Sequence, residues 1–405
     1  MRSVASHTEH PPGSPTAPAG RTDPLVRGTL TGLRRRTSTK WRHHPPDVLP
    51  LWVAEMDVPL AGPVARVLHE AVDLGDTGYA EGPEPYARAL DAFASGRWGM
   101  RVHSERVRLV PDVMQGAAEL LRLLTRPGDA VVVSPPVYTP FFQAVTRLER
   151  RLVQAPLGAD GRLDLAALEV AFREATAAGG TSGRAAYLLS SPHNPTGTVH
   201  TADELAELAR LAETHGVRVL ADEIHAPLTL EGATFTPYLS VPGTERGFAL
   251  FSASKAWNLA GLKAAVAVAG EAAADELAGL PTEVGNGASH FGVLSHTAAL
   301  REGAAWLDEL RGGLAANRAL LGSLLAERLP GVRWREPEAT FLAWLDCRGL
   351  GLGDDPAAAF LERGRVALVP GLAFGTEGAG HVRLNFATTP AVLTQAVTRM
   401  AAACA

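Results

Sequence analysis

Cysteine is almost missing from this 405-residue chain, which carries only Cys347 and Cys404. Two thiols cannot make a disulfide framework. Neither sits in a Cys-x-x-Cys or Cys/His metal spacing, so a reducing, cytoplasmic setting without bound metal is expected. Long basic runs are absent too. The 38 basic and 43 acidic residues are interspersed and leave a net charge of −5, which argues against nucleic acid or an anionic membrane as the main partner. Apolar runs are short: windows such as Ala264–Ala269 fall far below the roughly 20 residues that cross a bilayer. The stretch from Met1 to Pro24 mixes Ser, Thr, His, Gly and Pro. It lacks the apolar centre of a signal peptide and reads as a disordered tail.

What is present is an ordinary globular composition, 46% hydrophobic and 20% charged, enough for two or three domains. From about Pro63 to Gly270, helix-length amphipathic segments alternate with short apolar runs that read as buried parallel strands: Val107–Val110, Ala130–Val133, Ala185–Leu189, Val217–Ala221, Ala249–Ser252 and Ala264–Ala269. Helices are expected at Leu165–Ala177 and Ala202–Thr214, the latter opened by a Thr201-x-x-Glu204 capping box. Such alternation implies an α/β fold, a mostly parallel sheet with helices on both faces. Beyond Gly285 come helical stretches at Val293–Gly303 and Trp306–Arg328, then a strand-helix-strand region and a helix from Pro390, a smaller α+β unit. The expected division is a tail over 1–24, an N-terminal segment over 25–61 that packs on the small domain, a large domain over 62–288 and a small C-terminal domain over 289–405.

Several polar residues fall where apolar strands end, which is where ligands bind in open α/β sheets. Lys255 closes Ser252-Ala253-Ser254-Lys255, and a lysine there can form a Schiff base. Asp222 follows another strand and could hold a buried pyridine nitrogen protonated. Asn194, in Asn194-Pro195-Thr196-Gly197, could donate to a ring hydroxyl, and Tyr138 could stack on a flat ring. The strand Val107–Val110 runs through Pro111 and Asp112 into a helix beginning at Val113 and Met114, whose free amides suit an anion. Ser252, Ser254 and Lys263 could add hydroxyls and a cation to it. Arg383 lies in an alternating strand, and a guanidinium can clamp a carboxylate. Each feature alone has an ordinary structural reading: a tight turn for Asn-Pro-Thr-Gly, helix-start charges for Asp222-Glu223, a surface strand arginine for Arg383.

Taken in order, Tyr138, Asn-Pro-Thr-Gly, Asp222, Ser-x-Ser-Lys, Lys263 eight residues on, and Arg383 resemble fold-type I enzymes of aminotransferase classes I and II, which depend on pyridoxal 5'-phosphate (PLP). The resemblance covers roughly residues 30 to 400. It implies that Lys255 carries the cofactor, Asp222 faces its ring nitrogen, Asn194 its ring oxygen, and Tyr138 its face. Val113, Met114, Ser252, Ser254 and Lys263 would hold phosphate, and Arg383 the carboxylate of an amino-acid substrate. The segments Trp52-Val53-Ala54-Glu55-Met56-Asp57, Gly78-Tyr79 and Asp222-Glu223-Ile224-His225 are similar to the MalY/PatB type of cystathionine β-lyase, or C-S lyase. That implies Trp52 beside the substrate, His225 near the ring oxygen, and a homodimer in which Tyr79 reaches the neighbour's phosphate. Glu55, Pro227 and Phe341 depart from that pattern. The expected reaction is α,β-elimination of L-cystathionine or another L-cysteine S-conjugate to pyruvate, ammonia and a thiol. Transamination uses the same lysine, aspartate, asparagine and arginine, so an aminotransferase is the alternative. A PLP-binding regulator without turnover fits less well, since the tail is too short for a DNA-binding module.

Overall fold

The computed structural model describes residues 23–177 and 183–404; most of the expected tail therefore lies outside the described residues. Thirteen strands form three sheets among them. In chain order they are β1 Leu49–Pro50, β2 Val107–Val110, β3 Ala130–Val133, β4 Arg151–Gln154, β5 Ala185–Ser190, β6 Val217–Asp222, β7 Phe248–Phe251, β8 Ala265–Ala269, β9 Arg333–Trp334, β10 Leu342–Asp346, β11 Val366–Ala367, β12 Val369–Pro370 and β13 His381–Asn385.

The main sheet has seven strands in the order β2-β8-β7-β6-β5-β3-β4. Its centre is buried on both faces: every residue of β3, β5, β7 and β8 is buried. That explains why these strands read as unbroken apolar runs rather than alternating ones. The pairs β4–β3, β3–β5, β5–β6 and β6–β7 are parallel. The Ala264–Ala269 run corrects the expectation of a parallel strand, because β8 is antiparallel to both β7 and β2. Only residues 252–264 separate β7 from β8, and they hold turns rather than a crossover helix, so the chain must reverse. The edge strand β4, Arg-Leu-Val-Gln, is too short and polar to stand out in the sequence.

Helices pack on both faces, the expected ones starting where their caps are. Thr201 and Glu204 form the reciprocal capping box (Glu204 N–H to Thr201 Oγ1 3.2 Å, Thr201 N–H to Glu204 Oε2 2.7 Å), and Gly216, at φ 69°, ends that helix. Toward the C-terminus, helices His290–Glu302 and Ala304–Arg328 precede a four-stranded antiparallel sheet, β12-β13-β10-β9, and the chain closes on helix Pro390–Ala402. The N-terminal segment joins this side of the molecule: β1 pairs in parallel with β11. Among the described residues no helix is long and apolar enough to cross a membrane.

Candidate active site

The parallel strands β3, β5, β6 and β7 end at one edge of the main sheet, and the chain places Tyr138, Asn194, Asp222 and Lys255 just beyond those ends. These four share a cavity of about 220 Å³ with Val113, Met114, His225, Ser254, Lys263, Ala54, Asp112, Ser190, Ile224 and Ala260. Residues as far apart in sequence as Ala54 and Lys263 thus meet in one cleft.

Lys255 donates from Nζ to the carbonyl oxygen of Ala54 at 2.9 Å. Burial, and secondarily the Arg383 charge, lower its ammonium to about 8. Asp222 is buried; loss of water raises its carboxyl to about 6, although the Ile224 N–H at 3.1 Å and the Lys255 charge pull the other way. Burial also pushes His225 down to about 3, so its imidazole is neutral at physiological pH, and its Nδ1 has no partner. The loop carrying Lys255 is held from below by Tyr86, whose hydroxyl accepts the Ala253 N–H at 3.2 Å.

Asn194 and Arg383 are joined, Arg383 Nη1 donating to Asn194 Oδ1 at 3.0 Å. The Asn194 amide nitrogen is therefore the end left to face the cavity. Arg383 also donates from Nη2 to the Trp52 carbonyl at 3.1 Å and lies over the Phe374 ring, 5.0 Å from its centroid. It is 6% exposed, and its buried Nε has no hydrogen-bond partner among the described residues. Burial lowers the guanidinium to about 10, still charged at neutral pH.

At the far end of the cavity Asp112 caps helix Val113–Leu124, accepting the Gln115 N–H at 2.9 Å, and also receives Lys263 Nζ at 2.6 Å. An ammonium therefore sits beside first-turn amides that have no intrahelical acceptor. The Asn194-Pro195-Thr196-Gly197 segment is also a true turn. Gly197 has φ 72°, and an added Cβ would stand 2.3 Å from Pro337, so only glycine fits.

Four expected residues lie outside the cavity lining: Arg383, which reaches it through Asn194, and three that sit elsewhere. Ser252 turns its hydroxyl to the Ala264 carbonyl at 2.8 Å and lies 3.0 Å from the Ser254 hydroxyl, outside the cavity lining. Trp52 brings its backbone oxygen to Arg383, while its ring packs against His43 and His44 at 5.0 and 5.6 Å. Tyr79 is 86% exposed on the surface. Sequence reasoning missed the Ala54 carbonyl, Asp112 as the Lys263 partner, and the residues that fasten segment 52–58: Asn385, Asn258, Lys40 and Arg36.

A mostly parallel sheet with a lysine-bearing loop at its carboxyl edge and a smaller antiparallel sheet beside it is the fold of the PLP-dependent transferases of fold type I. A Corynebacterium diphtheriae structure described as a "putative plp-dependent beta-cystathionase" superposes with a TM-score of 0.86 at 33% identity, covering 94% of this chain and 99% of that one. Residues 59–400 match the family "Aminotransferase class I and II", and the chain belongs to it. It is 56% identical over 392 residues to a Mycobacterium leprae protein named "Putative cystathionine beta-lyase", spanning 93% of this chain and 97% of that one. It is 33% identical to cystathionine beta-lyase PatB of Bacillus subtilis, over 88% and 92% of the two chains.

Proposed function

We propose that this protein is a PLP-dependent C-S lyase that eliminates the thiol from L-cystathionine or another L-cysteine S-conjugate, releasing pyruvate and ammonia. The observation that carries the reading is the meeting of Lys255, Asp222 and Asn194 in one cavity, with Arg383 bonded to Asn194. The similarity to cystathionine β-lyases along nearly the whole chain selects the reaction.

The residues fit the cofactor on their own chemistry. Asp222 is a buried carboxylate that forms no ion pair within 4 Å among the described residues, and a protonated ring nitrogen supplies the missing counter-charge. His225 Nδ1 and Arg383 Nε are buried without partners and call for polar groups inside the cavity. PLP, when bound, supplies an electron sink for the electrons of a breaking Cα–H bond. Asp222 keeps the proton at the ring nitrogen, and Asn194 Nδ2 donates to the ring oxygen, with His225 near it. Tyr138 covers the ring face. The first-turn amides at Val113 and Met114, with Ser254 and Lys263, hold phosphate. Arg383 takes the substrate α-carboxylate and so fixes the direction of the Cα–H bond. Lys255 would hold the cofactor at rest, and its amine, lowered to about 8 by burial, would take the Cα proton. The electron pair left at Cα would form the Cα–Cβ double bond as the Cβ–S bond breaks and the thiolate departs, and water would hydrolyse the imine tautomer of the released enamine to pyruvate and ammonia.

We further read the division of the chain as set out in the sequence, with a large domain to about residue 288 and a small one after it. The enzyme works in the cytoplasm as a homodimer. The exposed Val72, Leu74 and Tyr79, 62%, 75% and 86% accessible, support a covered face at that place. The deciding experiment is to incubate the purified protein with L-cystathionine and S-alkyl-cysteines and assay thiol, pyruvate and keto acid together. Thiol and pyruvate in equal amounts are expected. Rapid transamination with 2-oxoglutarate, and no thiol from any conjugate, would replace the lyase by an aminotransferase.

A further inference from the structure

The segment from Trp52 to Val58 passes the site at Ala54, which lines the cavity, and most of its carbonyl oxygens are engaged by side chains. Trp52 O accepts from Arg383 Nη2 at 3.1 Å and Ala54 O from Lys255 Nζ at 2.9 Å. Val53 O and Glu55 O accept from the same donor, Asn385 Nδ2, at 2.7 and 2.8 Å. From Trp52 to Glu55 the acceptors thus alternate: Val53 O and Glu55 O turn to Asn385, with the Glu55 N–H also on the first and Lys40 on the second, while Trp52 O and Ala54 O turn to Arg383 and Lys255. Asn385 is 1% exposed, its Oδ1 accepts the Ala387 N–H at 2.8 Å, and its own N–H bonds Leu51 O at 2.9 Å.

We propose that Asn385 is a positioning residue for the reaction: by taking the carbonyls of Val53 and Glu55 it aims those of Trp52 and Ala54 at Arg383 and Lys255. The inference rests on the roles given above to Lys255 and Arg383. Its consequence at Lys255 follows from hydrogen-bond strength. A carbonyl accepts more strongly from an ammonium than from a neutral amine, so an Ala54 oxygen fixed beside Nζ favours the amine once it has taken the substrate proton. At Arg383, the Trp52 and Asn194 oxygens hold the guanidinium on two sides and leave Nε toward the substrate carboxylate.

The segment is anchored independently at its ends, which separates aiming from folding. Asn258 clamps Met56 at both N–H (2.7 Å) and carbonyl (2.9 Å), Lys40 bonds Glu55 O at 2.8 Å and pairs with Asp57 at 2.9 Å, and Leu51 N–H bonds Ala367 O at 3.0 Å. Loss of the Asn385 amide removes the side-chain donor to Val53 O and one of the two to Glu55 O, so that residues 52–54 lose their guide while Lys40 still holds Glu55 and the ends stay in place.

The test uses the cofactor-loaded enzyme and two variants. Asn385→Asp keeps the acceptor for Ala387 and nearly the same volume but removes both amide donors; Asn385→Ala removes the side chain without adding charge. The cofactor dissociation constant is expected within about threefold of wild type, because Asp222, Asn194, Ser254 and Lys263 are untouched. Binding of L-alanine, which has no β leaving group, followed through the cofactor absorbance, should weaken about tenfold, and kcat for L-cystathionine should fall about 10- to 100-fold in both variants. A merely structural residue predicts the reverse split, cofactor affinity and thermal stability reduced together with kcat per bound cofactor unchanged. That result, or normal L-alanine binding and kcat, overturns the proposal. If wild type releases no thiol from any conjugate while both variants lose L-alanine binding, the lyase reading fails and Asn385 keeps its role.

Discussion

Lys255 and Asp222 stand in the same cavity with opposite charges, and burial pushes each toward its neutral form: the ammonium down to about 8, the carboxyl up to about 6. A ring cation placed against Asp222 restores its charge, so Asp222→Ala is expected to weaken cofactor binding, read by absorbance titration, as well as turnover. Borohydride reduction and peptide mapping should find the cofactor on Lys255; label on Lys263 or Lys40 would overturn the assignment. Lys255→Ala should cut turnover by roughly 10²–10⁴ while still binding substrate, since it removes the proton acceptor and leaves Arg383 in place. Arg383→Ala should lower kcat/KM by on the order of 30- to 1000-fold, the loss of about 2–4 kcal/mol from a desolvated charge-assisted contact. These side chains were legible because each carries its own chemical signature after an apolar run. The Ala54 and Trp52 oxygens were not, since every residue has a carbonyl and only the fold decides which one faces a lysine.

At the scale of elements, buried strands β3, β5, β6 and β7 were readable from composition alone, and the capped helix after Thr201 from its box. Direction was harder. The same Ala-Val-Ala-Val pattern serves a parallel or an antiparallel strand when both faces are buried, and only the missing crossover helix between β7 and β8 tells them apart. The turn at Gly197 is fastened from the C-terminal side, for Glu338 and Ala339 both donate their N–H groups to its carbonyl at 3.0 Å and thereby tie the Asn194 loop to the strand-bearing region around β10. Gly197→Ala forces a positive φ on alanine and a clash with Pro337. It should cost about 1–3 kcal/mol, seen as a lower denaturant midpoint, with weaker binding at Arg383 because Asn194 moves.

The whole molecule buries His193, His200, His225 and His296, which desolvation lowers to about 3, 4, 3 and 3. Below pH 6.5 the unfolded chain takes up protons that the folded one refuses, and each such group removes about 1.4 kcal/mol of stability per pH unit. Glu223 and Asp222, raised by burial to about 8 and 6, act in the opposite sense, gaining as pH falls and losing as it rises through those values. Four groups outweigh two below pH 6.5, and above it Glu223 alone of these six still acts, losing its contribution as pH rises toward about 8. Stability should therefore peak near pH 6.5 and fall toward both 5 and 8; denaturant midpoints at the three values check this, and a maximum at pH 5 would contradict it. Light scattering should find a dimer, and a fully active monomer would remove Tyr79 from the site. The bonds from Asn385 to Val53 and Glu55 span 332 and 330 positions, which sets an order in time. At ribosomal speeds of about 5–20 residues per second, the donor emerges roughly 15–65 s after its acceptors. The main sheet can form in that interval, yet Trp52 and Ala54 lack their guide until the last strand leaves the ribosome. A nascent chain stopped before residue 385 would thus own a lysine and a cleft but no aimed machinery, so competence waits for β13.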